Sequence, residues 1–190
     1  RDRSVSRGLG DVYKRQLKKN TAVGTVMTNM GFSKFCEANG IDFVSTKVGD
    51  RYVLESMLQN GYNIGGEQSG HIIFLDHSTT GDGELSGAMV LSIMKRTGEK
   101  LSDLAKIMER YPQVLINVKV SNEGKLSFYT DKEVKAEINR VTEILGDTGR
   151  ILVRVSGTEP LVRVMLEGEN LEQIQTLAEE AAQVVRERLA

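Results

Sequence analysis

The sequence has a single cysteine, Cys36, so no disulfide can close within the chain. It has two histidines, His71 and His77; one Cys and two His cannot build a Cys/His zinc site. It lacks a charge excess of either sign: 25 basic residues stand against 26 acidic ones. That balance supplies no field for holding nucleic acid or an anionic membrane surface. No apolar run approaches the roughly 20 residues that a membrane span needs. The first residues include Arg and Lys but no apolar stretch follows them, so no secretory signal is expected there. Internal repeats and low-complexity tracts are also absent. These absences point to a cytoplasmic protein without nucleic-acid or membrane partners.

What is present is enough for a core. Hydrophobic residues make up 39% of 190 residues, which suits one large domain or two small ones. Residues 1–16 show neither helical nor strand period, and they read as a foreign or disordered leader. Order is expected from Leu17 or Asn20 onward. Residues 21–27 and 42–48 read as short strands, 31–39 as a helix closed by Gly40, and 50–60 as an amphipathic helix. That helix places Val53, Leu54, Met57 and Leu58 on one face and ends at Gly61. Residues 63–75 are strand-like but broken by Gly65, Gly66 and Gly70. Alternating strands and helices imply βα units and a mainly parallel sheet. Helices follow at 83–97 and 101–111, the second stopped by Pro112. Cys36 and the Met and Leu residues of these helices read as core.

The pattern changes near residues 110–113, which sets the boundary between domains 17–110 and 111–190. Beyond it, 114–120 reads as a strand. Thr130 and Glu133 form a capping box for a helix that buries Val134, Ile138, Val141 and Leu145. Residues 151–155 and 161–167 make an antiparallel hairpin. Asn170 caps a final helix whose stripe is Leu171, Ile174, Leu177, Ala178, Ala181, Val185 and Leu189. The expected fold class is α/β: a partial mixed α/β domain, then a small α+β domain. The second has an open antiparallel-type sheet with two helices on one face.

Three loops could carry chemistry. In Arg154-Val155-Ser156-Gly157-Thr158-Glu159-Pro160-Leu161-Val162-Arg163, strand alternation puts both arginines on the side away from the helices. Two guanidinium forks, two hydroxyls and a glycine-softened backbone suit a phosphate; solvated arginines on an ordinary hairpin are the plainer account. In Gly66-Glu67-Gln68-Ser69-Gly70-His71, alternation places Glu67, Ser69 and His71 on one side of an extended segment, where they would suit sugar hydroxyls. A bulge with incidental polar groups is the alternative, and a metal site has too few ligands. Lys47-Val48-Gly49-Asp50-Arg51-Tyr52 lies between a strand and a helix, where anions bind, though Asp50 also suits an N-cap. Thr79-Thr80-Gly81-Asp82-Gly83 reads better as a turn before the next helix than as a phosphate or metal loop.

Together these segments resemble the α-D-phosphohexomutase superfamily. Residues 154–163 resemble its C-terminal phosphate-binding loop, and 67–71 its sugar-recognition loop. Thr25-Val26-Met27-Thr28-Asn29 and residues 47–53 resemble the phosphoglucosamine mutase branch rather than the phosphomannomutases. The resemblance runs from about Ala22 to the C-terminus. It implies a four-domain isomerase that interconverts glucosamine 6-phosphate and glucosamine 1-phosphate. A phosphoserine enzyme, a glucosamine 1,6-bisphosphate intermediate and Mg²⁺ take part, and the product feeds UDP-N-acetylglucosamine synthesis.

By the match, Glu67, Ser69 and His71 hold the sugar. Arg154, Ser156, Gly157, Thr158 and Arg163 hold the phosphate that is not reacting. Arg51 and His71 stand near the reacting groups. Neither a Ser-His-Asn-Pro-type phosphoserine loop nor an Asp-rich metal loop occurs in the sequence. The expectation is therefore the end of the third domain and all of the fourth, inactive alone, without metal ligands, and with exposed apolar edges. The alternatives are a non-catalytic sugar-phosphate module, or part of a phosphomannomutase or phosphoglucomutase.

Overall fold

The computed structural model describes residues 17–190; the expected leader, residues 1–16, lies outside them. The chain forms two compact units, divided between Arg110 and Tyr111.

In the first unit, β1 (Thr21–Thr25) pairs in parallel with β2 (Asp42–Thr46) and with β3 (Ile64–Gly66). β3 turns back into β4 (Ile72–Phe74), an antiparallel neighbour. The order is β2-β1-β3-β4. Helices α1 (Met30–Ala38) and α2 (Asp50–Asn60) fill the crossovers. Strand alternation sends Ala22, Phe43 and Ile64 to one face, where they pack with Phe32, Phe35 and Cys36. It sends Val23, Val44 and Ile73 to the other, where they pack with Val53 and Met57. Each helix thus covers its own face of the sheet. Gly65 is demanded by this packing: a Cβ there would lie 2.6 Å from both Met57 Sδ and Val53 Cγ1.

Several expectations need correction. Leu58 is 59% exposed and lies outside the buried stripe of α2. Helix α3 (Gly83–Thr97) has the expected bounds but no buried residue, and Val90 and Leu91 are exposed. Helical spacing marks a face suited to burial, not a surface that buries it. The helix expected over 101–111 is a single turn, α4 (Leu101–Leu104). Leu101 and Ile107 stay exposed, and a short helix without a packed face is marginal. It ends well before Pro112. None of the described helices is long and apolar enough to cross a membrane.

The second unit has three antiparallel strands in the order β5-β7-β6: β5 (Gln113–Lys119), β6 (Gly149–Val155) and β7 (Leu161–Gly168). Helices α6 (Lys132–Leu145) and α7 (Leu171–Leu189) share one core with Val118, Val162, Val164 and Leu166. Asn170 caps α7 by accepting from the Gln173 N–H at 3.1 Å. Leu171 is exposed, so the buried stripe begins at Ile174. The cap of α6 is Asp131, not Thr130: its Oδ1 accepts from the Glu133 and Val134 N–H groups, both at 2.9 Å. Thr130 instead donates its hydroxyl to Ser127 O. That hydroxyl closes α5 (Asn122–Ser127), a short helix without a legible period.

Candidate functional site

Because β1, β2 and β3 run parallel, their carboxyl ends share one edge of the first sheet. Ligands of open α/β sheets gather at such an edge. Loops 26–29, 47–49 and 67–71 leave from it. Glu67, Ser69 and His71 meet in the last of these. Ser69 Oγ donates to Glu67 Oε1 at 2.6 Å and stands 2.9 Å from His71 Nδ1. The Ser69 hydroxyl thus links the carboxylate to the imidazole.

The expected extended segment is not what joins these three residues. Residues 67–70 form a tight turn, closed by Glu67 N–H to His71 O at 2.9 Å and Gly70 N–H to Glu67 O at 3.0 Å. Gly70 takes φ +100°, open mainly to glycine. Glu67 Oε2 also accepts from the Gly49 N–H at 3.1 Å, which ties this turn to loop 47–49. Gly49 has φ 128° and ψ 130°, a strained region for any other residue.

The remaining expected residues of this unit divide. Gly81 lies against His71, where an added Cβ would come within 3.2 Å of the imidazole. Asp82 accepts from the Leu85 N–H at 2.9 Å and caps α3, in keeping with a plain turn. Arg51 is not drawn to the Glu67 cluster. It is 81% exposed, and Glu55 accepts from its Nε at 2.7 Å, which holds the guanidinium pKa above its usual range. Cys36 is buried core, and burial pushes its thiol up to about 11.

In the second unit, β5–β7–β6 register aligns Asn117, Arg163 and Arg154 in one row across the sheet. Val162, Val164, Val153 and Val155 belong to the helix-side core, so this row faces the other way. Arg154 has no carboxylate partner among the described residues. Partial burial, and then the charge of Arg163, hold its guanidinium below its usual range. Arg163 Nη2 donates to Glu159 Oε2 at 2.7 Å.

The loop between the strands closes through Ser156 N–H to Leu161 O at 2.8 Å. Ser156 is buried and its Oγ accepts from the Glu159 N–H at 3.3 Å, so its hydroxyl first shapes the loop. Gly157 and Thr158 are exposed, and their N–H groups find no acceptor among the described residues. Gly157 is not at positive φ, and a Cβ there would meet nothing within 4 Å. The fold itself therefore does not require glycine at 157.

Sequence reasoning passed over two residues that hold this loop. Lys125 on α5 donates its Nζ to Glu159 O at 3.0 Å, and Glu159 engages Arg163. Lys125 sits on a helix without a legible pattern; Glu159, four residues from Arg163, was the available signal. Among the described residues no group of three His, Cys, Asp or Glu side chains is placed to hold a metal ion.

Comparison with known proteins fits both units. Residues 9–111 match Phosphoglucomutase/phosphomannomutase, alpha/beta/alpha domain III, and residues 115–184 match the C-terminal domain of the same family. The first match begins inside the segment read as a leader. The phosphoglucosamine mutase of Caldanaerobacter subterraneus subsp. tengcongensis is 53% identical over 176 residues, 93% of this chain and 39% of that protein. That of Acetivibrio thermocellus is 52% identical over 183 residues, 95% of this chain and 41% of that protein. The chain thus spans about two fifths of the length of these curated relatives. Among solved structures, the Aspergillus fumigatus N-acetylphosphoglucosamine mutase superposes with a TM-score of 0.80 at 19% identity, over 97% of this chain and 42% of that one. A sequence match that runs through most of both units, with a fold to go with it, leaves one assignment: the chain belongs to the phosphoglucomutase/phosphomannomutase family.

Proposed function

We propose that this chain supplies sugar and phosphate recognition to a cytoplasmic phosphoglucosamine mutase, which interconverts glucosamine 6-phosphate and glucosamine 1-phosphate through a phosphoserine enzyme and a bisphosphate intermediate. The observation that carries the reading is the pair Arg154 and Arg163, side by side on the helix-free face, with Arg154 given no carboxylate. Two adjacent guanidinium groups repel each other, and an incoming phosphate removes that repulsion. Gly157 supports the reading, because glycine where the fold does not need it lets a ligand approach the backbone. The free N–H groups of Gly157 and Thr158 are suited to phosphate oxygens.

Glu67, Ser69 and His71 bind sugar hydroxyls by exchanging their mutual hydrogen bonds for bonds to the ligand. The chemistry that Mg²⁺ supplies in the superfamily is charge neutralisation at the phosphoryl group, and no step at these residues depends on it. The proposal is tested in the full-length enzyme that carries this segment. Arg154→Ala should raise KM for glucosamine 6-phosphate by roughly tenfold or more, because a hydrogen bond to a charged group is worth about 1.5–3 kcal/mol. An unchanged KM sinks the phosphate role. Faster turnover of mannose phosphate than of glucosamine phosphate sinks the substrate assignment.

A further inference from the structure

The backbone of Glu159 is held from both sides. Its N–H donates to Ser156 Oγ at 3.3 Å. Its carbonyl accepts from the Leu161 N–H at 2.8 Å and from Lys125 Nζ at 3.0 Å. With the main chain fixed, the side chain reaches Arg163, whose Nη2 donates to Oε2 at 2.7 Å. The loop therefore presents two guanidinium groups and one carboxylate, and that carboxylate occupies a fork that a phosphate would use.

We infer that Glu159 sets the affinity threshold of the phosphate site, an internal anion that holds Arg163 until a more strongly bound ligand displaces it. The inference rests on the phosphate reading proposed above. Carboxylate and phosphate offer a guanidinium the same acceptor geometry. A dianionic phosphate brings more charge than Glu159 and wins the exchange. A monoanion brings the same charge and meets a competitor already tethered beside the arginine, at high effective concentration. Glu159 thus lowers affinity by the same factor for every anion that must displace it, so a weakly held monoanion falls out of the working range while a dianion still binds. The exchange is easy because the pair is partly solvated, with Arg163 at 30% and Glu159 at 52% exposure.

The test is an NMR titration of the full 190-residue chain with glucosamine 6-phosphate and with the monoanionic sugar glucuronate. Glu159→Gln keeps every main-chain anchor of the loop. It should bind the phosphate sugar roughly twofold to fivefold tighter, the range set by a partly exposed ion pair. Its gain for glucuronate should be of the same size, because the displaced contact is the same. Glu159→Ala should change both in the same direction. If Arg154→Ala abolishes phosphate binding while Glu159→Gln binds no tighter, Glu159 merely orients Arg163 and the inference fails alone. If wild type does not bind, or Arg154→Ala binds as wild type does, the phosphate reading fails and takes the inference with it.

Discussion

Replacing Arg154 by methionine should stabilise the second unit and weaken its response to ligand. Arg154 and Arg163 are directly opposed on antiparallel strands, and Arg154 has no described carboxylate to offset the repulsion. Like charges so placed destabilise a sheet by roughly 0.2–1 kcal/mol. Methionine keeps the apolar stem of arginine, so little packing is lost. A gain of about 0.5 kcal/mol corresponds to roughly 2–4 °C in Tm for a domain of this size. Ligand should reverse the order. At a glucosamine 6-phosphate concentration of about one hundred times the wild-type Kd, wild type gains roughly 2.7 kcal/mol by mass action, and a variant bound tenfold or more weaker gains about 1.4 kcal/mol or less. Thermal unfolding followed by circular dichroism, with and without the sugar phosphate, gives both numbers. A methionine variant less stable than wild type without ligand would refute the reasoning, because Arg154 would then be a structural residue and not a strained binding group.

Three further outcomes are expected. Gly65→Ala should destabilise the first unit by about 1–3 kcal/mol in urea unfolding, because the new methyl meets fully buried Met57 and Val53; a neutral result would mean that α2 is free to shift. Asp131 has its carboxyl pKa lowered, chiefly by the Val134 N–H it caps and further by Arg188. Its contribution is therefore present above the unfolded value near pH 4 and is lost as pH falls through the folded one. The gap in Tm between wild type and Asp131→Ala should be constant near neutrality and shrink below about pH 4; a gap that widens on acidification contradicts the assignment. Cys36, buried with its thiol pushed up to about 11, should resist thiol reagents at pH 8 until the chain unfolds. Stoichiometric labelling of folded protein would show that the first core opens.

Periodicity and caps made most of the fold legible. The stripe of α7 from Ile174 onward, the Asn170 cap and the β6–β7 hairpin depend on spacing that local chemistry enforces. Residues 101–111 misled because helical spacing was present without a surface to bury it, and only α4 formed. Thr130 misled because Asp131 stood next to it, and a carboxylate accepts from two N–H groups at once. In the candidate site, alternation put Arg154 and Arg163 on one face correctly, since both lie in regular strands. The meeting of Glu67, Ser69 and His71 came out right for another reason, a turn that no strand rule describes. Lys125 was beyond reach, because its partnership with Glu159 spans 34 residues of sequence.

The two loops are prepared for ligand in opposite ways. Around Glu67 every polar partner is already satisfied: Ser69 and the Gly49 N–H both donate to its carboxylate. A sugar hydroxyl entering there exchanges one hydrogen bond for another, which nets little affinity and leaves a penalty only for a ligand that cannot replace the bond it breaks. On the proposed reading, that arrangement selects. Around Arg154 the protein holds charge without a partner, and an entering phosphate relieves repulsion instead of exchanging contacts. On the same reading, that arrangement binds. On the proposed reading, affinity comes from the phosphate end and discrimination from the sugar end. A mutase must hold its sugar with either phosphate in place.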